Sequence, residues 1–207
     1  TIILGDSLSQ VFISEDGGEE WDLVGDCATV LTGTNNTSVV FDPDYASNGI
    51  IYAAAGEVIA RCTIDTGADW ADQEWEELCS ALGQAYGIAA AGDTALYVVD
   101  AAIVDYNDVI DEGGVLRSLN PDEDDADDVV FERVGEGLTE DTTSLSGLLL
   151  TTDVSDGGCA ENVLWSLDLA VKTNVWVYED TLAAPVVLGT PVEGQKLGTT
   201  DKATLTW

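Results

Sequence analysis

The chain reads as an all-β protein of three to four blade-like, four-stranded antiparallel sheets, and three observations predict it. Short runs of β-branched and aromatic residues alternate with turns rich in Gly, Asp and Asn. One phrase recurs: Val11-Phe12-Ile13-Ser14 is echoed by Val58-Ile59-Ala60-Arg61, Val115-Leu116-Arg117-Ser118 and Val163-Leu164-Trp165-Ser166, in steps of 47, 57 and 48 residues. A second series follows it at similar steps, with an aromatic opening each returning strand: Trp21, Trp75, Phe131 and Trp176. A repeat of roughly 40–50 residues is the length of one four-stranded propeller blade. The prediction is therefore a partial β-propeller over residues 1–184, with almost no helix.

Taken in order, Val11–Val24 forms a hairpin, two apolar runs across the Gly17-Gly18 turn. Ser38–Phe41 and Ile50–Ala55 form the next strand pair, joined through Asp42-Pro43-Asp44-Tyr45-Ala46-Ser47-Asn48-Gly49. Tyr86–Ala91 with Ala95–Asp100, and Leu148–Thr152 with Asn162–Leu167, are its counterparts. Their Ala-rich runs fit crowded strands where sheets converge. Asn162–Leu167 fits either the second or the third strand of the last unit, which reads one strand short. The turns vary most, from the short Ser14–Glu20 loop to the nearly all-acidic Asn120–Asp128, as rim loops do.

Composition changes at Leu182–Pro191. Pro185 and Pro191 bracket an apolar run, and Ala203–Trp207 alternates cleanly. Residues 185–207 resemble the first two strands of a fibronectin type III-like or other immunoglobulin-like sandwich, so a β-sandwich module is expected to start there.

Ser14, Asp16, Gly18 and Trp21 resemble the Asp-box, S-x-D-x-G-x-[TS]-W, of sialidase-like β-propellers, with Glu20 where Thr or Ser is usual. The resemblance implies that the Asp ties down the hairpin backbone, the Gly takes a positive φ, and the Trp plugs the gap between neighbouring hairpins. The residue chemistry agrees: Asp braces its own turn, Gly tolerates φ > 0, and Trp buries a large rigid group. The Phe41–Ala54 phrase looks like the inner-strand pair of secreted microbial propeller repeats. Together these features resemble the propeller repeats of large secreted or surface-layer proteins of bacteria and archaea. That resemblance implies an extracellular or cell-surface location.

Charge narrows the function. Forty acids stand against six bases and no His, a net charge of −34, while 45% of residues are apolar. Such a field repels nucleic-acid phosphates and anionic lipid. It suits a hydrated folded surface that binds divalent cations or tolerates salt. No apolar run has transmembrane length, so no membrane insertion is expected in this segment. Cys27, Cys62, Cys79 and Cys159 contain no C-x-x-C pair, which leaves a zinc site little support. Cys62 and Cys79 lie symmetrically about residues 70–71, so a disulfide between them is expected, and it would suit an oxidising compartment. Asn35 and Asn36 head overlapping glycosylation sequons.

Candidate chemistry is sparse. Arg61, Arg117 and Arg133 are the only arginines, and the repeat places them on outer hairpins, away from the inner-strand loops where propellers gather catalytic groups. No nucleophile elbow or phosphate-cradling loop is present. Asp122, Asp124, Asp125, Asp127 and Asp128 offer the hard oxygens that Ca²⁺ takes, and Asp42 with Asp44 forms a second cluster. The expected function is a non-catalytic structural module of a surface layer, sheath or filament, bridged by cations to other copies of itself or to further blades. The alternative is a carbohydrate-binding or glycoside-hydrolase propeller whose active residues lie outside this segment, with glycans as partners.

Overall fold

The computed structural model describes residues 1–31, 36–80, 83–92, 95–105, 112–135, 137–154, 160–171, 174–180, 187–190 and 204–206. They form consecutive antiparallel meanders. The first sheet holds β1 (Ile2–Gly5), β2 (Val11–Ser14) and β3 (Asp22–Leu23). The second holds β4 (Ser38–Phe41), β5 (Ile50–Ala55), β6 (Val58–Thr63) and β7 (Trp75–Cys79). The third holds β8 (Ala85–Ala91), β9 (Ala95–Asp105), β10 (Glu112–Ser118) and β11 (Phe131–Val134). The fourth holds β12 (Leu145–Val154), β13 (Ala160–Asp168) and β14 (Val175–Asp180). A two-stranded ribbon, β15 (Val187–Thr190) with β16 (Thr204–Thr206), lies further along the chain. Among the described residues, helix is limited to one turn at Tyr45–Asn48 and three short 3-10 turns. The fold is all-β, and its sheets are open.

Strand alternation gives the sheets two apolar faces each, and these pair off into three cores. Val11 and Ile13 of the first sheet pack on Ile51, Ala53 and Ala60 of the second. Tyr52, Ala54 and Ile59 on the second sheet's other face meet Leu96, Val98 and Leu116 of the third. Tyr97, Val99 and Val115 of the third meet Leu145, Leu164 and Trp176 of the fourth. Each fully buried Ile, Leu or Val contributes about 1.5–3 kcal/mol. First strands meet across these seams, β1 on β4, β4 on β8 and β8 on β12. Small residues permit the approach: a Cβ on Gly5 would lie 2.1 Å from the Thr37 carbonyl oxygen, and one on Gly87 would lie 2.7 Å from the Leu148 nitrogen. Alanine or anything larger at either place would push two sheets apart.

The recurring phrase falls on the third strand of the second and third sheets, β6 and β10, and on the middle strand of the three-stranded first and fourth, β2 and β13. Arg61 pairs with Tyr52 and Glu76, and Arg117 pairs with Tyr97 and Glu132, so these rungs are equivalent. The repeat of the second and third sheets therefore aligns Ile59, not Val58, with Val115. Arg61 to Arg117, Trp75 to Phe131 and Glu76 to Glu132 then all step by 56 residues. Asn162–Leu167 lies in β13, the middle strand of a three-stranded sheet.

The expected Cys62–Cys79 disulfide is not formed. Cys62 sits opposite Trp75 and Cys79 opposite Ile59, with a register shift between Ile59 and Ala60, so the two thiols do not face each other. The hairpin turns earlier than the symmetry about 70–71 requires, because Gln73 braces its loop. Its amide accepts from the Asp65 N–H at 2.8 Å and donates to the Asp65 and Asp69 carbonyls. Cys159 lies outside the described residues.

Candidate functional site

Among the described residues, the polar chemistry gathers in constellations built by turns or by rungs. The Ser14–Trp21 loop closes on itself. Ser14 Oγ donates to Asp16 Oδ1 at 2.8 Å and accepts from the Gly18 N–H at 2.8 Å. The Glu19 and Glu20 N–H groups donate to Asp16. These bonds, the Glu20 amide and the Ser14 hydroxyl foremost, hold the Asp16 carboxyl below the usual range. Gly17 and Gly18 take φ of +85° and +100°. Trp21 is 40% exposed and donates its indole N–H to the Gly18 carbonyl, so it stays on its own loop. The gap between the first two hairpins is filled instead by Trp75, whose indole donates 2.7 Å to the Val24 carbonyl.

The Asp42–Asn48 turn uses Asp42 as a staple. Its carboxylate accepts from the Asp44 N–H (2.8 Å), Asn48 Nδ2 (2.7 Å) and the Tyr52 hydroxyl (3.0 Å). Three donors already aimed at this buried carboxylate leave it poorly suited to a cation. Asp44, by contrast, is exposed.

The acidic loop is anchored by its backbone and turns its acids outward. Arg61 Nη1 donates to the Pro121 and Glu123 carbonyls, tying the second sheet to this loop of the third. Pro121 and Val129 are buried, whereas Asp122, Asp124, Asp125, Asp127 and Asp128 are exposed. Asp125 accepts from the Asp127 N–H and braces the turn. Among the described residues no three acidic or thiol groups converge as a metal cage. Its carboxylates stand apart on an open, solvent-facing loop rather than around a closed site.

The fourth constellation has no local signal in the sequence. Arg117 donates to Glu132 and, across the seam, to Asp180 of the fourth sheet, which also accepts from the Tyr97 hydroxyl at 2.7 Å. Asn162 donates to the same hydroxyl at 3.1 Å. Burial, then the Asp180 carboxylate, hold the Tyr97 phenol well above its ordinary range. Burial opposes the Arg117 charge, but Asp180 and Glu132 overcome it and raise its pKa. Arg133 pairs with buried Asp100 at 2.9 Å and donates to the Gly113 carbonyl. Asp100 further accepts from the N–H groups of Gly83, Gln84, Ala102 and Gly113. All three arginines lie on the third and fourth strands of their sheets, the hairpins where the repeat placed them, and each guanidinium has partners there or across a seam. They do not converge to clamp a ligand carboxylate.

Cys27 and Cys62 share the first core, where burial pushes their thiols up to about 11 and about 12. Asn36 is exposed, as a glycosylated side chain requires, and Asn35 lies outside the described residues. No protein-family model matches the chain, and neither the curated proteins nor the solved structures contain a match to it. No helix among the described residues is long and apolar enough to cross a membrane.

Proposed function

We propose that this chain is a non-catalytic structural module of an extracellular layer, sheath or filament, its four sheets acting as blades of an open propeller. One observation carries this reading. The buried ionic groups tie sheet to sheet or brace turns, while the unspent charge, the acids of Asp122–Asp128 above all, faces solvent on loops. A propeller-like arrangement is supported by successive meanders whose first strands adjoin across each seam. The two-stranded ribbon is the start of the separate sandwich module over residues 185–207. The extracellular location rests on the acidity, the exposed Asn36 sequon and the resemblance to secreted repeats, now without the Cys62–Cys79 bond.

Copies carrying −34 repel one another, screened over about 8 Å at physiological salt. Divalent cations bound by the acidic loop relieve that repulsion. Light scattering at low salt should show a mass that rises with calcium and falls with chelator, and charge-neutral replacements in Asp122–Asp128 should blunt the response. Calcium-independent binding to a glycan array would favour the carbohydrate-binding alternative instead.

A further inference from the structure

The stack leaves two outer sheet faces, and both are apolar at the centre. On the fourth sheet, Leu149 (61% exposed), Trp165 and Val177 form one cross-strand rung, with Leu167 and Val175 beside it, all exposed. On the first sheet, the rung Leu4–Phe12–Leu23 lies opposite the core face, with Leu4 51% exposed. Neither rung carries a charge, on a chain where acids outnumber bases 40 to 6.

Register identifies what the fourth sheet's face is for. Arg61, Arg117 and Trp165 each precede the residue that pairs with the returning aromatic: Cys62 with Trp75, Ser118 with Phe131, Ser166 with Trp176. All three sit on the face turned away from the preceding sheet, the arginines on the third strand of theirs and Trp165 on the second of its own. In the second and third sheets that face is covered by the next sheet, which supplies acceptors for the arginine: the Pro121 and Glu123 carbonyls, then Asp180. On the corresponding face of the fourth sheet the central side chain is a tryptophan, Trp165, rather than an arginine. Its indole N–H already donates to Thr151 Oγ1 at 2.9 Å, so it asks a facing surface for apolar contact and no acceptor. The first sheet's outer face offers Ile2, Leu4, Phe12 and Leu23, and no carboxylate at its centre.

We propose that the fourth sheet's outer face docks on the first sheet's outer face of a second copy of this chain, continuing the order in which the sheets already stack. The contact is head-to-tail, so it builds closed rings or open chains of copies. It deepens the structural reading above by naming the surface through which copies meet, and it requires no cation.

The test is solution mass by sedimentation across a concentration series, with the chain as it stands, in chelator at physiological salt. One variant carries Leu149→Glu with Trp165→Glu, another carries Leu4→Glu. Circular dichroism verifies that both keep the β spectrum, which the exposure of Leu4, Leu149 and Trp165 favours. The parent should associate into two or more chains. Each variant alone should associate at least tenfold more weakly, and an equimolar mixture should yield a one-to-one dimer, because each supplies the face the other lacks. Self-association of the Leu4 variant at parental strength would overturn the proposal in favour of like-to-like contact. Parental association by both variants would overturn it in favour of strand edges. A parent that assembles only with calcium, with both variants assembling equally, would overturn the docking face and leave the cation-bridged module standing. A parent monomeric in both conditions would overturn both.

Discussion

The second and third sheets carry the same rung, Tyr–Arg–Glu, and complete it differently. In the second, Tyr52 bonds to Asp42 of its own sheet's turn, and Arg61 takes neutral carbonyls of the next sheet's loop. In the third, Tyr97 and Arg117 both converge on Asp180 from the next sheet, which is 1% exposed. One seam is therefore joined by ion–dipole contacts and the other by a buried ion pair. The difference predicts where the stack is brittle. Removing one member of a buried pair leaves an uncompensated charge, costing about 3–5 kcal/mol. Removing a partner whose donors are neutral costs less.

The largest effect should therefore come from Asp180→Ala, a loss of about 3–5 kcal/mol in denaturant unfolding. Asp42→Ala, which strands the buried Tyr52 hydroxyl and opens a turn but orphans no cation, should lose about 2 kcal/mol. Equal losses would mean that orphaning the Arg117 cation costs no more than orphaning a neutral hydroxyl. Glu76→Gln and Glu132→Gln should each change stability by about 1 kcal/mol or less, because both carboxylates are 54% exposed and screened. A large loss at Glu132 alone would mean that the third-sheet rung depends on both its acids.

The thiols sharpen the contrast between seam and surface. Cys27 and Cys62 should resist maleimide in the native protein, and Cys79, only half-buried, should be modified first when peptides are mapped by mass spectrometry. Their raised pKa values give the sign of a pH dependence: folding favours the protonated thiols. That contribution is whole below about pH 8.5, the unfolded value, and is lost as pH rises toward 11–12. The smallest effect is local. Asp16 should titrate below an ordinary aspartate by NMR, so its loop bonds persist above the ordinary value and fail as pH falls through the lowered one.

Much of the fold was legible because strand, turn and repeat are local signals. The aromatic series located β3, β7, β11 and β14, and the Ala-rich runs located the seams. What escaped was set by register and by distance. A loop organised by Gln73 turns the hairpin early, so Cys62 falls opposite Trp75 and Cys79 opposite Ile59. Val58 and Val115 share a residue type but not a rung, and matching them hid the equivalence of Arg61 and Arg117. Asp180 and Tyr97 are 83 residues apart, and nothing near either announces the other. Asp42 was legible as part of an acidic turn, but its role as a staple depends on Tyr52 reaching back to it.

Buried charge joins the third sheet to the fourth, and a double-mutant cycle on Arg117 and Asp180 measures this directly. Arg117→Met and Asp180→Leu should each destabilise by about 3–5 kcal/mol. The double variant should lose far less than their sum, because neither charge is then left alone. Losses that simply add would contradict a coupled pair at this seam.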